Sequence, residues 1–525
     1  PSRIQLIIQI KRSSLSSYNQ NIKTKSSVVF QEMELTFGLS LLCLLLAIGL
    51  KLLRQPKKNL PPGPPGLPII GHLHLLKNPI HRRFHKLSQK YGPVMSLRFG
   101  SRFVVVVSTP EAVEECFSKN DVVLANRPPF LNGKYLNYNF TTLASAGYGD
   151  HWRNLRRLSS IEIFSATRLK SFLDIRKDEV MHLVSRLHHV SKDGFAKVEL
   201  RSLFLDETFN VIMRMMAGKR YFGENVDGAE EAAQFKQHMQ DYTALTKVTN
   251  LGDLFPLLGF IDIGGLRKKM IDLSEKFDLF LQRIIDEHRS DKTRNSMVSH
   301  LLQLQETQPE YYSDAIIKGL ILIMAIAGTK TSAMTMEWVM SNLLKNPHVL
   351  KKAREMLDAQ VGHDRLMDES DFSKLPYLQN IIYESFRLNP TNPLLVPHYS
   401  SGDCTIGGYH VPKGTMVFAN SWAIHRDPSL WEDPLTFKPE RFENSKHDTY
   451  KIMPFGVGRR ACPGEPLAMR VMTLTLGALI QSFDWEIIPG EEFNMKEFLA
   501  ITMTRVDPLK LHCKSRPHLT NIVSA

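Results

Sequence analysis

The sequence predicts a mainly α-helical protein with small β-sheets, built as one large domain behind an N-terminal membrane anchor. Three observations carry this. Residues 151–305 and 314–344 show helical hydrophobic periodicity over long stretches. The extended signals are short, at residues 94–108 and 404–418. An uncharged, leucine-rich run at residues 35–50 precedes a block of prolines. At 525 residues the chain exceeds the usual domain size, yet it carries no internal repeat, and one large α-rich domain accommodates it.

Residues 1–32 are serine-rich, basic and poor in acids, and the chain opens without methionine, whereas Met33-Glu34 makes a natural start. The leader is therefore expected to be disordered or translated upstream sequence, and an organelle transit peptide has the same composition. Residues 33–55 read as a signal-anchor helix. The apolar run is short, but Lys51 can snorkel, and the basic flank of Lys51, Arg54, Lys57 and Lys58 holds the remainder on the cytosolic side. A cleaved signal peptide is the alternative, although no small-residue cleavage site follows. Residues 56–70 contain Pro61-Pro62-Gly63-Pro64-Pro65-Gly66-Leu67-Pro68, which cannot be helical because proline fixes φ and removes a donor. Residues 71–525 form the predicted catalytic domain. It opens with a hairpin in which Phe103-Val104-Val105-Val106-Val107 follows a turn at Gly100, and a second small sheet is expected around Cys404 to Phe418.

The five cysteines are odd in number, scattered and without a CxxC pair, which argues against a disulfide framework or a zinc site and suits a reducing compartment. A formal net charge of +13 raises nucleic acid as a ligand. No basic cluster is interleaved with aromatics, so an anionic membrane surface or an acidic protein partner is the better reading, with no nucleic acid.

The most informative segment is Pro454-Phe455-Gly456-Val457-Gly458-Arg459-Arg460-Ala461-Cys462-Pro463-Gly464. A cysteine sulfur serves as an iron ligand when backbone N–H groups stabilise the thiolate and water is excluded. Gly456, Gly458 and Gly464 permit such a bend, Phe455 can shield the sulfur, and Arg460 can meet a carboxylate of the bound group. Taken alone, Cys462 would read as a buried free thiol; with its neighbours at these offsets it reads as a socket for thiolate-ligated haem.

Other constellations are weaker alone. Residues 319–328 (GLILIMAIAG) are too short to span a bilayer and read as a core helix that Gly328, Thr329 and Thr331 can loosen, or as a plain core helix with satisfied threonines. Glu384-Ser385-Phe386-Arg387 holds an i,i+3 ion pair of a kind that arises by chance. Trp152 and Arg156 lie one turn apart, on one face of a helix whose other arginines, Arg153 and Arg157, suit solvent.

Jointly these segments resemble the cytochrome P-450 superfamily, from the proline block to the C-terminus. All ten positions from Phe455 to Gly464 match its haem-binding signature. The resemblance implies haem b (iron protoporphyrin IX) with Cys462 as the axial metal ligand. It places Trp152, Arg156, Arg460 and His398 at the haem propionates. Ala327-Gly328-Thr329-Lys330-Thr331-Ser332 matches the oxygen-binding groove, with Thr331 organising proton delivery; Lys330 departs from the usual acid there. Glu384, Arg387 and Arg441 would lock the haem loop, and the proline block would set the domain's angle on the membrane. Substrate-facing segments would be residues 126–150, with Tyr135, Tyr138 and Phe140; the helix face at Ala327; residues 392–396; and residues 500–503. The stretches LANRPPFLNGKYLNYNFTTLASAGYGDHWRNLRRL and PHYSSGDCTIGGYHVPKGT resemble plant isoflavone hydroxylases and their relatives. The implied function is a monooxygenase of the endoplasmic reticulum membrane, single-pass with a cytosolic catalytic domain. It would put one atom of O2 into a hydrophobic plant phenolic. Electrons would come from NADPH through NADPH-cytochrome P-450 reductase, with cytochrome b5 as a second donor. A reductase-independent isomerase or dehydratase and a haem protein impaired by Lys330 are the alternatives.

Overall fold

The computed structural model describes residues 33, 36–44, 59–223, 229–247, 250–443, 448–499 and 502–524. The expectations for residues 1–32, and for the anchor beyond residue 44, lie outside the described residues. Residues 36–44 are helical and exposed. The chain divides between Asn59 and Leu60 into two units, and the second holds every strand among the described residues.

That second unit is mainly helical. Five helices frame the site: α1 (Asp150–Leu158), α2 (Leu200–Ala217), α3 (Asp314–Lys345), α4 (Pro376–Leu388) and α5 (Glu465–Ser482). Among the described residues α3 is the one helix long and apolar enough to cross a membrane, and its burial from Ile317 to Leu343 identifies it as the core helix. It packs on α2, where a Cβ at Gly328 would lie 2.8 Å from Ile212 Cδ1; the absent side chain allows the close approach. The helix runs unbroken through Gly328. Thr331 Oγ1 donates to the Ala327 carbonyl at 2.6 Å, as a loosening threonine would. Thr329 does not: its buried hydroxyl has no partner.

The predicted hairpin is present as β1 (Val94–Phe99) and β2 (Arg102–Val107), antiparallel, with Gly100 at φ +60° in the turn. The second region divides in two. Cys404–Ile406 pairs with Tyr409–Val411 across Gly407 and Gly408, whose φ values of +57° and +79° suit a tight hairpin turn. Beyond it, Met416–Ala419 crosses to run parallel to β2, and His398–Tyr399 pairs with its far edge, completing a four-stranded sheet. The reason is burial: Met416, Val417 and Ala419 are enclosed, and an apolar strand of that kind belongs inside a sheet.

The proline segment is stitched to β1. Ser96 donates from its amide to Pro62 O at 2.8 Å and from its hydroxyl to Pro61 O at 2.7 Å. A Cβ on Gly63 would lie 2.1 Å from Ser96 O, so only glycine fits that crossing.

Candidate active site

The loop that carries Cys462 is shaped by its glycines. Gly456 and Gly458 sit at φ +71° and +72°, and a Cβ on Gly458 would lie 2.7 Å from Asp121 Oδ1. The Cys462 amide donates to Phe455 O at 2.8 Å and closes the bend. Its thiol opens into a cavity deep in the protein, so it is exposed to that space and remote from bulk solvent. Burial pushes the thiol pKa up; the amides of Gly464 and Glu465 and the Arg156 guanidinium pull it down.

Two contacts hold the loop in place. Phe455 packs edge-on against Phe386 of α4, with ring centroids 5.2 Å apart. Phe386 lies between Glu384 and Arg387, which face the other way into a network. Arg387 Nε and Nη2 each donate to Glu384 at 2.8 Å, and Arg441 Nε donates at 3.0 Å. The Glu384 carboxylate also accepts the Lys438 amide at 2.8 Å. Arg387 spends its remaining donors on the carbonyls of His425, Pro434 and Thr436. Both side chains of the Glu384–Arg387 pair are 0 % exposed, and every charge has its bonds, which is the condition for tolerating buried ions.

The cavity measures about 310 Å³. Three arginines reach it, Arg127, Arg156 and Arg460, yet among the described residues no aspartate or glutamate lines it. They are held by carbonyls: Arg127 by Val396 and Pro397, Arg156 by Ala461, and Arg460 by Ala125, Leu143 and Ala146. Arg460 also stacks over the Trp152 ring at 4.4 Å, while Trp152 Nε1 donates to Leu143 O at 3.1 Å. Burial lowers Arg127 to about 9 and Arg460 to about 10, with repulsion from Arg460 and Arg156 respectively adding to it. Burial lowers Arg156 as well. Crowded, desolvated cations without a counter-ion make a receptor for an anionic group.

Of the residues singled out from sequence, Cys462, Phe455, Gly456, Gly464, Arg460, Trp152, Arg156, His398, Gly328 and Thr331 all line this one cavity. Gly458 shapes the loop from behind. Lys330 is half-buried and lies outside the cavity wall. His398 is neutral, its pKa held well below the ordinary value by burial and by Arg127. With Nδ1–H given to Leu124 O at 3.0 Å, Nε2 is an acceptor and can bond an anion only after taking a second proton. Arg127 is the cation sequence reasoning missed. Leu395 and Val396 line the cavity as expected, whereas Tyr135, Tyr138 and Phe140 do not: Tyr138 donates to Asp278 at 3.0 Å. From residues 126–150 the wall takes Arg127, Leu143 and Ala144 instead, and α2 adds Thr208, Val211 and Ile212. Residues 500 and 501 lie outside the described residues.

The family model for cytochrome P450 matches residues 61–512, and the chain belongs to that family, whose members are haem-dependent monooxygenases. Among its relatives, isoflavone 3'-hydroxylase of Medicago truncatula is 54 % identical over 478 residues, covering 90 % of this chain and 95 % of that one. Isoflavone 2'-hydroxylase of Glycyrrhiza echinata is 52 % identical, with 93 % and 98 % covered. The (+)-piperitol/(+)-sesamin synthase of Sesamum radiatum is 49 % identical, with 94 % and 97 % covered. A solved zebra fish cytochrome P450, in a structure with progesterone, superposes with a TM-score of 0.74 at 26 % identity, covering 84 % of this chain and 100 % of that one.

Proposed function

We propose that this protein inserts one oxygen atom of O2 into a hydrophobic plant phenolic, an isoflavonoid, flavonoid or lignan, using electrons from NADPH delivered by a membrane-bound cytochrome P450 reductase, with cytochrome b5 as a second donor. One observation carries the reading: a deep thiol and three guanidiniums meet in a single cavity that no carboxylate of the described residues lines. The residues fit haem b, which when bound supplies a redox-active iron for dioxygen chemistry and two propionates. Cys462 would ligate the metal, and the Gly464 and Glu465 amides, which already lower its pKa, would take up the thiolate's charge. Arg127, Arg156 and Arg460 would hold the propionates by charge-assisted bonds, and Trp152, over whose ring Arg460 stacks, orients Arg460. Thr331 holds a proton at its Oγ1 beside the Ala327 carbonyl. Leu320, Ile323, Met324 and Leu395 give an apolar wall that excludes water and suits a flat, weakly polar substrate.

Membrane attachment rests on the apolar run before Lys51 and on an exposed apolar patch. Leu257, Phe260 and Ile69 are 88 %, 74 % and 81 % exposed. Their two segments are tied to the same turn, Gly100 donating to Ile70 O and Ser101 to Leu254 O. The endoplasmic reticulum is the proposed membrane, with residues 33–55 as anchor, 56–70 as linker and 71–525 as the cytosolic catalytic domain.

The test is spectroscopic, then chemical. The reduced, carbon-monoxide-bound protein should show the red-shifted Soret band of a thiolate haem, and Cys462→Ser should abolish it while serine at Cys116, Cys404 or Cys513 leaves it intact. With reductase, NADPH and labelled dioxygen, an isoflavonoid, flavonoid or lignan panel should yield a product carrying one labelled atom. A Soret band unchanged in Cys462→Ser would overturn the ligand assignment, and label-free product the reaction.

A further inference from the structure

Where α3 meets the segment after α4, two threonine hydroxyls sit in the cavity wall. Thr335 Oγ1 lies 2.8 Å from Thr391 Oγ1 and 2.9 Å from the Thr331 carbonyl. Both residues line the cavity and are at least nine-tenths buried, at 3 % and 6 % exposure. A backbone carbonyl can only accept, and a hydroxyl has one proton. The Thr335–Thr331 contact is a hydrogen bond only if Thr335 spends its proton there. The Thr335–Thr391 contact is then a hydrogen bond only if Thr391 supplies the proton. One direction satisfies both. It leaves Thr391 Oγ1 with its donor used and its lone pairs unspent, since no other described residue hydrogen-bonds it. Met503 N donates to the Thr391 carbonyl at 2.8 Å and fixes the backbone that presents the hydroxyl. Asn392, next along the wall, has an amide that donates and accepts, so it imposes no such direction.

We propose that Thr391 is a specificity-determining residue: held by Thr335 as an acceptor-only group, it selects substrates that present a hydroxyl donor, a phenol or an alcohol, over the corresponding ethers. The inference rests on the haem monooxygenase reading and names the substrate chemistry its cavity takes. A buried acceptor rewards a donor strongly and gives an ether nothing, because the ether oxygen also only accepts. Thr335 is a positioning residue and acts through Thr391.

The experiment measures dissociation constants on the haem-loaded protein by the Soret shift on ligand addition, using 7-hydroxyisoflavone and 7-methoxyisoflavone as probes. Wild type should bind the hydroxyl compound about five- to tenfold more tightly. Thr391→Val, which keeps shape and removes the acceptor, should bring the two within about twofold, whereas Thr391→Ser should keep the preference. Thr335→Val has a different signature: it frees the Thr391 proton to point into the cavity, so affinity for the ether should rise while the hydroxyl compound holds. Equal affinities in wild type, or a preference that survives Thr391→Val, would overturn the proposal. Absence of the thiolate Soret band from wild type would instead overturn the underlying haem reading, so the two failures are distinct.

Discussion

Two clusters of buried charge flank the Cys462 loop, one joined to it through the Phe386–Phe455 contact and one in the cavity it opens into, and they are built on opposite rules. Behind the loop, Glu384 stands between Arg387 and Arg441, accepts a backbone amide as well, and every guanidinium is spent on the carboxylate or on carbonyls. In front, Arg127, Arg156 and Arg460 crowd a cavity that no carboxylate of the described residues lines, and burial drives their pKa values down. A closed network is a scaffold, because its energy is already collected at folding. An open one holds unspent interaction energy and so marks where an anion binds. Burial of charge alone does not distinguish structure from function; the presence or absence of the counter-ion does.

The largest effect should come from breaking the closed network. Glu384→Ala strands Arg387 and Arg441 without their carboxylate, at a cost of roughly 3–5 kcal/mol. Little folded, haem-loaded protein should be recovered, judged by soluble yield and by the Soret-to-protein absorbance ratio. A well-folded, haem-replete variant would erase the contrast.

The open cluster should respond in the opposite sense. Arg156→Met removes a desolvated cation whose one hydrogen bond among the described residues goes to the Ala461 carbonyl. The haem-free protein should be as stable as wild type or more so, while haem loss to apomyoglobin should quicken roughly tenfold or more, as expected for a lost bond to a charged group. A fall in haem-free stability matching that of Glu384→Ala would place Arg156 in the scaffold instead.

Glu207 supplies a third case, an unbalanced acid. Thr475 Oγ1 donates to its Oε1 at 2.7 Å, its Oε2 has no partner, and burial raises its pKa to about 8. From the ordinary carboxylate value up to that point the folded state holds a proton the unfolded state lacks. Stability therefore falls as pH rises through the window and levels off above about 8. Glu207→Gln cannot titrate, so its advantage over wild type should be near zero at the acid end and should grow through the window to several kcal/mol, roughly 5 for a shift of that size. Urea unfolding at both ends reads the difference; a constant offset would show that Glu207 does not titrate there.

The Cys462 loop was legible in the sequence because its function is written in backbone constraints. Glycines at positive φ, a shielding Phe455 and the sulfur must keep fixed offsets, and these survive as a pattern. The Glu384–Arg387 pair was legible only through the superfamily resemblance, since an i,i+3 pair is commonplace. Arg127 was illegible: the chain contains many arginines, and which of them is buried facing a cavity is decided by folding. Tyr135, Tyr138 and Phe140 misled for the same reason, because their apolar character fits a cavity wall and a packed loop equally well. Met416–Ala419 was read as extended within a separate small sheet, and its pairing with β2 was not foreseen, because register between distant strands leaves no local mark.

Lys330 should give the smallest effect, and it tests where the open cluster ends. The superfamily resemblance put an acid's task at this position and led to the expectation that lysine would disturb proton delivery. On α3, however, residues one apart are turned by about 100°, and while Ala327, Gly328 and Thr331 line the cavity, Lys330 does not. Lys330 is half-buried and is not part of the cavity wall, so it adds no fourth cation to the arginine receptor there. A lysine outside the cavity wall does not contact what Thr331 presents to it, so its influence on Thr331 should be the weaker. Product formed per NADPH consumed should therefore drop several-fold in Thr331→Ala, which removes the hydroxyl from the cavity wall, and change less than about twofold in Lys330→Asp. Should Lys330→Asp raise coupling as strongly as Thr331→Ala lowers it, the lysine acts on the cavity directly, and the boundary between wall and flank drawn from its position is wrong.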